Sequence, residues 1–377
     1  MLNILDERTF CLPQPLTLFP QGSELYKPIS LESRRYIGSK AKLTDWIMQT
    51  IASETEACDS FCDIFAGTAI VAHKAIMKYK KVIINDFLHA NHVIYKAFFA
   101  PGSWNKEKIL TLIDSYNALN PIKLPDNYFS KHFGGKFFEY NIAKQIGYIR
   151  ENIAYLHAEL TEKEYCILLA TLIYNIDKIA NTVGHFDAYI KKEIPHQPLQ
   201  LRLIDVQSYP HVQIYQEDAN GLAEHIKADI VYIDPPYNSR QYSRFYHLYE
   251  TLVKWDKPTL SGVALKPPVE NMSRYCTTKA AHAFEHLVSV LKAKYIVVSY
   301  NNTYQSKSNS SENKIRLEEI EAILNQCGTT QIFEHAHSFF NTGKTSFDNH
   351  KELLFITKID EERRNKTLSS LLCRGQV

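Results

Sequence analysis

Short apolar runs alternate with amphipathic stretches near the start and the end of this chain, and the alternation breaks off in its middle. Ser60–Phe65 and Lys81–Asn85 read as buried strands. A stretch through Tyr79 and another over His89–Phe99 carry apolar residues at helical spacing. Strand, helix and strand within about 30 residues make the βαβ unit of a parallel sheet. A helix over Lys42–Ile51 precedes that unit. Beyond Pro210 the alternation resumes. Strands are expected at His211–Gln216, Asp229–Ile233, Lys294–Tyr300, Thr329–Glu334 and Glu352–Thr357, and helices at Ala219–Lys227, Tyr246–Lys254 and Lys279–Lys292. The pattern predicts an α/β fold: a doubly wound, seven-stranded, mainly parallel sheet with helices on both faces.

The middle reads differently. Trp104–Leu119, Glu139–His157 and Thr161–Asn175 have helical periodicity and few strand runs lie between them. Residues 101–210 are therefore expected to be a helical insertion that divides the sheet domain into 35–100 and 211–360. Pro13, Pro15, Pro20, Gly22 and Pro28 oppose regular structure, so residues 1–34 are expected to form an extended arm. From about Asp360 the chain turns polar, and 361–377 is expected to be a frayed tail.

Composition narrows the class. Apolar residues make up 45% and charged residues 22%, which fits a globular protein with ample core. The 23 tyrosines suit stacking on flat ligands and equally suit an AT-rich genome. The net charge of +2 is too small to demand a nucleic acid. Between Pro236 and Ser310, however, ten Lys and Arg face four Asp and Glu, an excess that would attract phosphates. The insertion is charge-balanced and names no partner. The seven cysteines include no CxxC pair, so no metal site is expected. Their odd number, without a secretory signal, fits a reducing cytoplasm. No apolar run approaches the ~18 residues of a membrane span.

The segment Asp229–Tyr237, DIVYIDPPY, carries the sharpest chemistry. An apolar strand delivers Asp234 to the carboxyl edge of the sheet, where ligands bind in such folds. Pro235 and Pro236 remove two amide donors and leave carbonyls free to accept. An exocyclic amine donates two hydrogens, which the Asp234 carboxylate and the Pro235 carbonyl can receive, while the Tyr237 ring stacks on the base. An aryl amine is a poor nucleophile because its lone pair is delocalised. Holding both hydrogens in acceptors favours a pyramidal nitrogen that can attack a methyl sulfonium in line.

Three further segments end strands. Asp63-Ile64-Phe65-Ala66-Gly67-Thr68 offers a one-glycine turn, suited to a ligand without a pyrophosphate or to an ordinary turn. Asp86 follows the second strand, where an acid pairs with ribose hydroxyls or simply caps a helix. Asp218 ends another strand, as an acceptor for a nucleoside amine or as a helix N-cap.

Taken together, these segments resemble the alpha-group N6-adenine DNA methyltransferases, the Dam-like enzymes that include many type II restriction–modification methylases. The family order is a Y/W-x-G-[GS]-K segment, then D-x-F-x-G, a target-recognition insertion and DPPY. Here it runs Tyr36-Ile37-Gly38-Ser39-Lys40, Asp63–Gly67, Pro101–Pro210 and Asp234–Tyr237. The resemblance implies a class I methyltransferase fold and S-adenosylmethionine as cofactor. It implies that Tyr36, Lys40, Asp63, Phe65, Gly67, Asp86 and Asp218 contact that cofactor. It implies that Asp234, Pro235 and Tyr237 hold an adenine flipped out of double-stranded DNA. In Asn238–Leu252, Arg240, Gln241 and Arg244 become DNA contacts, or else a merely basic loop. A cognate restriction endonuclease acting on the same site, without a stable complex, is the further implied partner. Where the family often has a second glycine, this chain has Ala69. Transfer to a cytosine amine or to RNA, and an inactive DNA-binding relative, are the alternatives.

Overall fold

The computed structural model describes residues 27–302, 313–336 and 351–373. Helix α1 (Thr44–Glu54) leads into β1 (Ser60–Asp63), α2 (Ile70–Ile76), β2 (Lys81–Asn85) and α3 (His89–Phe99). Four helices follow: α4 (Lys106–Asn117), α5 (Tyr128–Phe133), α6 (Tyr140–Tyr155) and α7 (Glu162–Ile179). The sheet resumes with β3 (Val212–Tyr215), α8 (Ala219–His225) and β4 (Ile230–Ile233). Then come α9 (Tyr242–Phe245), α10 (His247–Lys254), α11 (Ala280–Val290) and β5 (Tyr295–Asn301). The described chain ends with α12 (Leu317–Cys327), β6 (Gly328–Ala336), β7 (Lys351–Ile359) and α13 (Glu361–Cys373).

Seven strands form one sheet in the order β3-β2-β1-β4-β5-β7-β6. The first five run parallel, and β7 inserts antiparallel between β5 and β6. Strand side chains alternate between faces, and here both faces are covered. Phe61, Tyr232, Val297 and Leu354 point to the side that carries α1, α2 and α3. Cys62, Val231, Ile296 and Phe355 point to the side that carries α8, α11 and α12. Each fully buried aliphatic side chain in these layers is worth about 1.5–3 kcal/mol. The strand order reverses between β1 and β4, which opens a crevice at their carboxyl ends.

The expected seven-stranded, mainly parallel sheet is therefore observed. The middle helices are observed too, with α5 added and no strand assigned among residues 101–210. Helix α7 starts at a capping box between Thr161 and Glu164 and packs along α3. Its Lys163 ammonium is buried on the carbonyls of Lys96, Ala100 and Gln207, and burial lowers its pKa to about 8. Buried residues of α4–α7 thus share the core on the α3 side of the sheet.

Two ends depart from expectation. Residues 1–26 of the expected arm lie outside the described residues, but Ile29 pairs with the chain returning past Leu203 and Asp205. The frayed tail is corrected: Glu361–Cys373 is helix α13, laid against α11 and α12. Asp360 caps it, Arg364 reaches the Leu291 carbonyl, and Leu371 is buried. A single buried leucine among charges was too faint a periodicity to read. Residues 374–377 of that tail lie outside the described residues.

Candidate active site

β4 is buried along its whole length and hands the chain to Asp234 at the crevice. The opposite wall is the turn before α1, where Gly38 adopts a left-handed φ of 80°. That turn aims Lys40 inward. Its ammonium lies 3.0 Å from Asp234 Oδ1 and donates to the Tyr237 hydroxyl at 2.7 Å. The Tyr237 hydroxyl donates in turn to Asp234 Oδ1. Among the described residues, nothing donates to Asp234 Oδ2. Lys40 is only 5% exposed, and Asp234 and Glu352 raise its pKa against the opposing effect of burial.

The turn is held by two tyrosines four residues apart. The Tyr246 hydroxyl accepts from the Ile37 amide at 2.8 Å, and the Tyr242 hydroxyl donates to the Ile37 carbonyl at 3.1 Å. The Tyr36 ring stacks on both of theirs, at 4.6 Å from Tyr246 and 5.3 Å from Tyr242.

Beside this wall lies the β1 turn. Asp63 is buried; its Oδ2 accepts from the Ala72 amide, while Oδ1 has no hydrogen-bond partner among the described residues. Burial, reinforced by Asp234, pushes the Asp63 pKa well up. Gly67 has a φ of 53°, and a Cβ there would meet Tyr36 Cε1 at 3.3 Å. Its amide donates to Asp86 Oδ2 at 2.9 Å, and its carbonyl accepts from the Tyr95 hydroxyl. Asp86 also accepts from the Leu88 amide, and burial raises its pKa. Asn85 ties the strand ends together by donating to the carbonyls of Ile64 and Glu217. Asp234, Glu352 and Asp63 thus act by charge on one buried lysine, an arrangement suited to a cationic ligand.

A profile of D12 class N6 adenine-specific DNA methyltransferases matches residues 36–323, spanning both walls of this crevice. The chain belongs to that family. It is similar to the type II methyltransferase M.NlaIII of Neisseria lactamica, at 31% identity over 84% of this chain and 95% of the relative. It is 30% identical to M.CviAII of Paramecium bursaria Chlorella virus 1 over 86% of this chain and 98% of that relative. Against M.FokI of Planomicrobium okeanokoites the identity is 34% over 79% of the chain, which spans about half of that longer protein, 48%. The protein is an adenine-specific DNA methyltransferase that acts on DNA. Among the described residues, no helix is long and apolar enough to cross a membrane.

The remaining expected residues of this methyltransferase stand farther out. Phe65 is half-buried with its ring edge-on to Tyr275 at 5.0 Å. Asp218 caps α8 and pairs with Arg274 at 3.2 Å, so its capping role is realised. Pro235 is buried. Arg240 lies half-buried at the start of the basic loop. Gln241 is buried, with both ends of its amide on the Ser273 backbone. Arg244 donates to the Pro267 carbonyl at 2.7 Å. These last two brace the following loop from within.

Sequence reasoning missed Tyr242, Tyr246 and Glu352. The tyrosine pair had a signal in its i, i+4 spacing, with Tyr242 opening α9 and Tyr246 capping it. Glu352 had one as the lone acid before the apolar run Leu353–Ile356.

Proposed function

We propose that Asp234 and the Pro235 carbonyl receive the two amine hydrogens of an adenine flipped out of double-stranded DNA. The observation that carries this reading is the oriented Asp234 carboxylate. Lys40 and Tyr237 hold Oδ1, and Oδ2 has no protein donor among the described residues. Tyr237 contributes its ring to the base after turning away from Asp234.

The residues on the β1 side fit S-adenosylmethionine. Asp63 Oδ1, buried and unpartnered, suits an ammonium or sulfonium. The turn at Gly67 leaves bare backbone beneath the Tyr36 ring, and Asp86 sits where ribose hydroxyls would reach it. Phe65 and Asp218 would border the adenine moiety. When bound, this donor supplies an activated methyl group on sulfur. Asp234 keeps the amine nitrogen pyramidal during in-line attack and takes up the proton it releases.

We assign recognition of the DNA sequence to the 101–210 helices, with Arg240 and Arg244 as phosphate contacts and Gln241 as the brace of their loop. M.NlaIII, M.FokI and M.CviAII are all named type II methyltransferases. That favours a cytoplasmic role in protecting DNA against a cognate endonuclease. Asp234→Ala should abolish tritium transfer from labelled S-adenosylmethionine to duplex DNA while leaving the thermal melt unchanged. Transfer retained by that variant would sink the assignment.

A further inference from the structure

Arg34 stands two residues before Tyr36, on extended backbone that α7 fixes from both sides. The Tyr174 hydroxyl donates to the Leu31 carbonyl at 2.9 Å, and the Arg35 amide donates to Asp177 Oδ2 at 3.0 Å. The Arg34 side chain is only 5% exposed. Its guanidinium carbon lies 4.9 Å from the Tyr36 ring centroid, and Nη2 donates to Asn91 Oδ1 at 2.8 Å. That bond goes to an amide rather than a carboxylate, and Nε has no partner among the described residues. A guanidinium held this way opposes folding, and an apolar side chain would fill the space better.

Asn91 lies in the first turn of α3 and is 1% exposed. A guanidinium carries donors only, so it must face the oxygen of the Asn91 amide. The amide nitrogen then faces the other way, and Nδ2 donates to the Tyr36 hydroxyl at 3.4 Å. The phenol is thereby an acceptor on its inner side, and its own hydrogen is left for another partner. Among the described residues the Tyr36 hydroxyl donates to no protein group. It overhangs the β1 turn, 3.8 Å from where a Cβ on Gly67 would stand. The Gly67 amide in turn donates to Asp86 Oδ2. Asn91 and Arg34 also favour the charged form of Asp86 against the effect of burial. Tyr36 thus presents a donor beside an acceptor, the pairing that a ribose hydroxyl requires.

We infer that Arg34 and Asn91 are positioning residues for the methyl donor: Arg34 sets the sense of the Asn91 amide, and Asn91 turns the Tyr36 hydroxyl hydrogen outward to the donor's ribose. This rests on the reading of the β1 side as the S-adenosylmethionine site. Both side chains are too deeply buried to meet the ligand themselves, so they act through Tyr36.

The test is calorimetry of S-adenosylmethionine binding to the full chain, with affinity for duplex DNA followed by fluorescence anisotropy. Asn91→Asp keeps the shape and gives Arg34 a carboxylate, but its second oxygen draws the Tyr36 hydrogen inward. It should bind the donor about tenfold more weakly, with DNA affinity changed less than about twofold. Tyr36→Phe keeps the stacked ring and should show a similar loss. In the Tyr36→Phe background, Asn91→Asp should then add less than about twofold. Arg34→Gln, which accepts as well as donates, frees the amide to turn over and should behave as Asn91→Asp does. Wild-type affinity in Asn91→Asp overturns the proposal. Full additivity of either variant with Tyr36→Phe does so too, because the loss then bypasses the phenol. Tyr36→Phe with wild-type affinity overturns it even where the other variants fail to fold. A wild type without binding heat removes the donor site itself, and the proposal with it.

Discussion

The ammonium of Lys40 lies 3.0 Å from Asp234 Oδ1, with side-chain exposures of 6% and 17%. Lys40 precedes the first strand and Asp234 follows β4, so this ion pair closes the crevice between the two halves of the sheet. Breaking one side of a buried pair leaves the other charge uncompensated and costs about 3–5 kcal/mol. Lys40→Met should lower unfolding free energy by that order in urea titrations. Methylation should fall by roughly a hundredfold, about 2.7 kcal/mol of barrier. A variant with unchanged activity would show that the pair is structural only.

The β1 turn makes a second prediction because its two strained positions differ. Gly67 has a φ of 53° and lies against the Tyr36 ring. Gly67→Ala meets both a left-handed backbone cost of about 1–2 kcal/mol and a displaced Tyr36. Donor affinity measured by calorimetry should drop by about tenfold or more. Ala69, in the second glycine position of the family, also sits at a left-handed φ of 58°. Ala69→Gly relieves strain but gives up a buried methyl worth about 0.8 kcal/mol. Its stability should stay within about 1 kcal/mol of wild type.

Buried acids set a pH dependence of stability. Burial raises both Glu250 and Glu352 to about 7, from an ordinary value of 4.5. A raised carboxylate pKa means the folded state holds a proton that the unfolded state has already released. The associated stability is fully present below the unfolded value and is lost as pH rises through about 7. Below about 6.5 the buried His247, lowered to about 4, works in the opposite direction. Between about pH 6.5 and about pH 8 the protein should lose on the order of 1 kcal/mol per acid. Glu352→Gln should roughly halve that slope in urea unfolding, and an unchanged slope would exclude Glu352 as a contributor.

Much of this was legible in the sequence because it was local. The apolar run Ile230–Ile233 ends at Asp234, and both the strand and the acid at its end follow from adjacent residues. Asp63 and Asp86 were legible for the same reason. Glu352 was not, because its place beside Lys40 depends on β7 inserting antiparallel next to β5. The Tyr242 and Tyr246 clamp depends equally on a turn some two hundred positions away, as the 209 positions between Ile37 and Tyr246 indicate. Gln241 and Arg244 read as DNA contacts or as part of a merely basic loop, yet the loop they begin folds back and takes hydrogen bonds from both. Helix α13 escaped notice because tertiary packing, not periodicity, makes it a helix.

Tyr237 gives the sharpest division of roles. Its hydroxyl sits on Asp234 and takes a hydrogen bond from Lys40, whose ammonium also lies 4.9 Å from the ring centroid. The Tyr300 ring is tilted against it with centroids 4.5 Å apart. One side chain thus orders the crevice through oxygen and is assigned to the base through carbon. For the ring to stack on adenine, the hydroxyl must leave Asp234. Tyr237→Phe keeps the ring and removes the latch, so it should keep most base stacking while loosening Lys40 and Asp234. Its single-turnover rate should fall by about tenfold or less, against about a thousandfold for Tyr237→Ala, which loses a stacking contact worth roughly 1–3 kcal/mol as well. Fluorescence of 2-aminopurine at the target position reports the flipped base directly. Phe should preserve the enhancement and Ala should abolish it; equal loss in both would place the function of Tyr237 in its hydroxyl.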